Sequence, residues 1–74
     1  MTMGQIKNDV KKVALEFGLS VTMLEKREKG VLLCNFYDMQ TNQLHSALKI
    51  NLAYCVAFEQ PIDQLVRHYL SNNK

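Results

Sequence analysis

No apolar run in the chain approaches the roughly 18 to 20 residues of a membrane-spanning helix. The start, Met1-Thr-Met-Gly4, has neither the charged nor the apolar region of a secretory signal, so a cytoplasmic address is expected. Cysteine is scarce: Cys34 and Cys55 make no disulfide scaffold, and no Cys-x-x-Cys pair or His/Cys cluster offers metal-ligand spacing. Both lie among apolar neighbours and read as small packed hydrophobes. His45 and His68 stand alone and read as surface residues. A Gly-rich phosphate loop and a Ser/His/Asp constellation are also missing. Glu59 and Asp63 are spaced by four residues, but at a helix start, where carboxylates have an ordinary capping role. No enzyme activity, cofactor, metal or small-molecule substrate is therefore expected.

What is present is a 74-residue chain that is 47% hydrophobic. That is one domain, residues 1–74, with one modest core and no disorder. A net charge of +2 permits nucleic-acid binding without requiring it. Its positive residues cluster as Lys7, Lys11 and Lys12, then Lys26, Arg27 and Lys29.

The spacing of Ile6, Val10, Val13, Ala14 and Phe17 predicts a helix over 5–17, stopped by Gly18. Ser20 is a candidate N-cap for a second helix over 21–29, stopped by Gly30. Leu32, Phe36 and Met39 fit a third helix over 32–41, although Val31–Met39 also reads as a strand. Ser46 is placed to cap a central helix over 46–58, apolar nearly all round. Ile62, Leu65, Val66, Tyr69 and Leu70 recur at i, i+3, i+4, i+7 and i+8, an amphipathic final helix over 62–71 with Pro61 and Asp63 at its start. The expected fold is all-α, a compact five-helix bundle. Its rival pairs Val21–Lys26 with Val31–Tyr37 as a hairpin across Glu28-Lys29-Gly30. The expected core is Val10, Ala14, Phe17, Leu24, Phe36, Leu48, Leu52, Ala57, Phe58, Ile62 and Leu65.

Five short helices with glycine-marked turns match small DNA-binding bundles. The stretches Ile6-Lys-Asn-Asp-Val-Lys-Lys-Val13, Gly18-Leu-Ser20, Gly30-Val31, Ala57-Phe58 and Ile62-Asp-Gln-Leu65 resemble the Cro and phage-repressor (XRE-like) helix-turn-helix proteins. The resemblance implies a lambda-repressor-like domain and a small transcriptional regulator, a repressor of phage or mobile-element type, that binds duplex DNA in the major groove. An alternative register makes Val21–Arg27 the recognition helix and Val31–Met39 a wing strand, a winged helix similar to the MerR type. Between them the two registers nominate Thr22, Lys26, Asn35, Tyr37, Gln40, Thr41, Asn42 and Gln43 for DNA contact. Asn and Gln can form bidentate bonds to adenine, and Lys can meet phosphate. Most such regulators act as pairs, so a homodimer through Val66, Tyr69 and Leu70 is expected. The competing function is a protein-interaction module such as an antirepressor or inhibitor, favoured by the low charge and the apolar group Leu32, Leu33, Phe36 and Tyr37.

Overall fold

A computed structural model of the chain describes residues 2–57 and 61–72, the Val56 side chain excepted. The first helix, α1 (Met3–Glu16), begins at a capping box: the Thr2 hydroxyl accepts from the Gln5 amide at 3.2 Å, and the Gln5 side chain accepts from the Thr2 amide at 3.0 Å. It ends where predicted, with Gly18 in the left-handed region at φ 71° and its amide bonded to the Leu15 carbonyl.

The expected bundle ends there. Strands β1 (Leu19–Lys26), β2 (Val31–Asp38) and β3 (Leu44–Asn51) form an antiparallel sheet in the order β1-β2-β3. The segments 21–29 and 32–41, on which both helix-turn-helix registers depend, are strands and turns. Neither register retains its second helix, and the five-helix bundle is replaced by an α+β fold. The hairpin of the rival reading does form, pairing Val21 with Phe36 and Lys26 with Val31. Its turn is a single 3-10 turn over Arg27–Lys29, closed by Gly30 at φ 62°. Gly30 therefore turns a hairpin instead of stopping a helix, the same positive φ serving either purpose.

The helix expected over 46–58 is also divided. Its first part is β3, so Ser46 and Ala47 lie within a strand. Asn51 marks the seam: its side chain accepts from the Tyr54 amide at 3.0 Å and caps the short α2 (Leu52–Ala57). The final helix, α3 (Ile62–Asn72), follows the predicted stripe, with Ile62, Val66 and Leu70 buried and Leu65 and Tyr69 packed beside them.

All of these helices serve one face of the sheet. Ile6, Val10, Val13 and Ala14 of α1, Cys55 of α2 and Ile62, Val66 and Leu70 of α3 meet Leu19, Leu32, Cys34, Phe36 and Ile50. Of the expected core, Val10, Ala14, Phe36 and Ile62 are buried. Leu48, Leu52 and Leu65 are half-buried against it. Phe17 is 36% exposed, Leu24 is 57% exposed and Ala57 is exposed. Phe58 lies outside the described residues. Leu24 leaves the core because strand geometry sends it to the face opposite Val21 and Met23.

Cys34 is 1% exposed, and burial pushes its thiol up to about 11; Cys55 is raised for the same reason. In the folded protein neither thiol is expected to react with a disulfide reagent at about pH 8, whereas urea-unfolded chain reacts at both. Fast modification of the native protein would mean that β2 or α2 is not enclosed.

One bidentate ion pair ties α1 to α3: Arg67 donates from Nε and Nη2 to the two Glu16 carboxylate oxygens, each at 3.0 Å. The Arg67 hydrogen bond holds the Glu16 carboxyl below its ordinary value of 4.5. A carboxyl depressed by folding contributes stability above its unfolded pKa and loses it as pH falls through the folded one. Glu16→Gln is therefore expected to lower the melting temperature slightly at neutral pH, with the deficit closing below pH 4.5. An equal deficit across that range would dissociate it from the ion pair.

Candidate interaction surface

Among the described residues the helices occupy one face of the sheet and leave the other uncovered except at Val31. Cross-strand register places its residues in rows. Ser20, Tyr37 and Leu44 make the first row, and Thr22, Asn35 and Ala47 the second. Leu24, Leu33 and Lys49 make the third, then Lys26, Val31 and Asn51. Burial alternates accordingly: Ser20, Thr22, Leu24 and Lys26 are exposed, while Leu19 is buried and Val21, Met23 and Glu25 are half-buried behind them. On β3, Ala47, Lys49 and Asn51 are exposed and Ile50 is buried. Central β2 shows Leu33, Asn35 and Tyr37 half-exposed; only Val31 is shut away, at 5%.

Two features of this face stand out physically. Leu24, 57% exposed, lies beside half-exposed Leu33 in the middle of it. None of its twelve positions carries a carboxylate, whereas two carry lysine. Among the described residues neither Lys26 nor Lys49 forms an ion pair. Where β1 runs into the hairpin turn, Leu24 through Lys29 line an open depression of about 520 Å³.

The residues nominated from the sequence fall into two groups. Thr22 and Asn35 are direct cross-strand partners, and Lys26 and Tyr37 share their face, so these four come together on the sheet. Gln40, Thr41, Asn42 and Gln43 do not join them. They form the exposed β2–β3 turn at one end. That turn is organised by Asp38, whose carboxylate accepts from the Gln40 amide at 2.8 Å and the Thr41 amide at 3.1 Å. Its carbonyl accepts from Asn42, which sits at φ 60°. No helix presents any of the eight residues to a groove.

Leu24 was expected in the core, and Leu33 was expected to join Leu32, Phe36 and Tyr37 in an apolar interaction group, of which Leu32 and Phe36 are instead buried. The signal was Leu24 itself, which breaks the alternation of Leu19, Val21 and Met23 and so falls on the polar face of a strand.

The dimer nomination fares differently. Val66 and Leu70 are 0% and 1% exposed inside the chain's own core. The Tyr69 hydroxyl donates to the Ala47 carbonyl on the β3 edge. In this amphipathic helix the apolar stripe packs on the chain's own core, so Val66 and Leu70 offer no surface to a second copy, while Tyr69 stays half-buried.

Among the described residues no three of His, Cys, Asp and Glu are grouped as metal ligands would be, and no helix is long and apolar enough to cross a membrane. No family model, no curated protein and no solved structure matches this chain.

Proposed function

We propose that this chain is a small binding module that takes up a protein partner on the uncovered face of its sheet. The observation that carries this reading is the exposed Leu24 beside Leu33 at the centre of that face. A leucine on a strand flanked by Thr22, Asn35 and Lys49 gains its burial free energy only when another surface covers it. The surrounding Thr, Asn, Tyr and Lys side chains supply the polar rim that a protein interface carries around an apolar centre.

Duplex DNA remains the competing ligand for the same face, through Asn35, Thr22 and Lys26. It would have to lie against Leu24, Leu33 and Leu44, where a phosphate backbone gains nothing. A photoreactive residue in place of Leu24 tests the reading in cells that express the protein. Cross-linking to a protein is expected from position 24 and not from position 11 on the exposed side of α1. Recovery of nucleic acid from position 24, or equal protein yields from both positions, would overturn it.

A further inference from the structure

The character of the partner can be taken further, on the assumption that the uncovered face is the binding surface. We propose that this face recognises an acidic amphipathic protein segment, with apolar side chains seated on Leu24 and Leu33 and flanking carboxylates on Lys26 and Lys49.

Leu24 pairs with Leu33, and Leu33 pairs with Lys49, so an apolar pair and a cation share one row. Lys26 lies one row further along β1, at the opposite edge of the sheet from Lys49. The two lysines thus flank the leucines from both edges. Neither is neutralised by an ion pair among the described residues, and no carboxylate stands on the face. The nearest acid along β1, Glu25, points to the other side and is bonded to Arg27 at 3.4 Å. The depression lined by Leu24 through Lys29 borders the same edge, and in its lining Lys26, Arg27 and Lys29 outnumber Glu25 and Glu28, of which Glu25 is bonded to Arg27.

This arrangement argues against the other occupants. A second copy laid face to face would set uncompensated lysines against lysines, with no acid to relieve them, and like charges brought together at an interface are unfavourable. A single-stranded nucleic acid would meet one aromatic ring, Tyr37, where such ligands gain most from successive stacking platforms. An acidic amphipathic segment satisfies both the leucines and the lysines.

The test is selection from a peptide library displaying random 16-residue sequences against the folded protein, followed by nitrogen-15 NMR with a synthetic copy of the most enriched peptide. Enriched sequences are expected to place Asp or Glu around a pair or triplet of large apolar residues. The peptide should shift the amides of Thr22–Lys26, Leu33–Tyr37 and Ala47–Asn51. Lys26→Glu combined with Lys49→Glu should weaken it about tenfold, with an unchanged melting temperature showing that the fold is intact. Selection repeated on that double variant should yield basic peptides.

Outer-face binders without acidic enrichment, or a charge reversal without effect, would overturn the acidic chemistry while leaving the sheet-face reading standing. An unenriched library would also overturn it. Peptides that shift α1 or α3 instead would overturn both. Tighter binding of a 16-nucleotide single strand or duplex to the same amides would replace the peptide with nucleic acid.

Discussion

Phe36→Ala is expected to remove about 3–5 kcal/mol of folding stability. Phe36 is 0% exposed on the central strand, paired with Val21 on one side and Ser46 on the other, and it belongs to the cluster that joins the sheet to α1 and α3. No neighbouring strand can shift to fill the space, because β2 is hydrogen-bonded along both edges. Chains of this size have stabilities on the order of 5–10 kcal/mol, so the variant should retain a shallow, early urea transition or none. A loss below about 1 kcal/mol would mean that the ring is not in a packed interior.

A second large effect separates the two sides of the molecule. Leu70→Asp places a carboxylate at a site that is 1% exposed and lined by apolar side chains. Without a buried partner the charge is unfavourable by several kcal/mol, and the variant is expected to be unfolded at neutral pH. Recovery of structure in acid, where the carboxyl is neutral, should be partial. Leu24→Asp, an identical chemical change on the uncovered face, should alter stability by no more than about 1 kcal/mol. Circular dichroism of the two variants checks both statements. Equal stability would contradict the division between a covered and an uncovered face.

That division was only partly legible in the sequence. The two long helices were, because Ile6, Val10, Val13 and Ala14, and likewise Ile62, Val66 and Leu70, repeat at helical spacing beside recognisable end signals. The sheet was misread for a specific reason. Leu32 and Phe36 are four residues apart, which is close to one helical turn and equal to two strand periods, so they share a face in either conformation. Val31 to Cys34 is continuously apolar, and a strand that carries Val31 and Leu33 on its outer face as well as Leu32 and Cys34 on its inner one shows no alternation. The span 46–58 reads as one helix because its apolar residues continue through Asn51, the residue at which the strand stops and α2 is capped.

Four of the nominated residues share one face for a related reason. Polar residues in an amphipathic element face solvent whether it is helix or strand, so Thr22, Lys26, Asn35 and Tyr37 were nominated through the wrong secondary structure and still share a face. Leu24 could be assigned only once its period was known. Gln40 to Gln43 were nominated as the exit of a recognition helix, whereas Asp38 shapes them into a turn.

Leu24 and Leu33 stand on the uncovered sheet face, while Leu32 and Ile50, one residue out of phase with Leu33 and Lys49, stand in the core. A soluble paramagnetic agent added to methyl-labelled protein tests this directly. Methyl relaxation should be strongly enhanced at Leu24, clearly enhanced at Leu33, and nearly unaffected at Leu32 and Ile50. Strong enhancement at Leu32 and Ile50 with protection of Leu24 and Leu33 would mean that the strands present the opposite face, and the account of both fold and binding surface would be wrong.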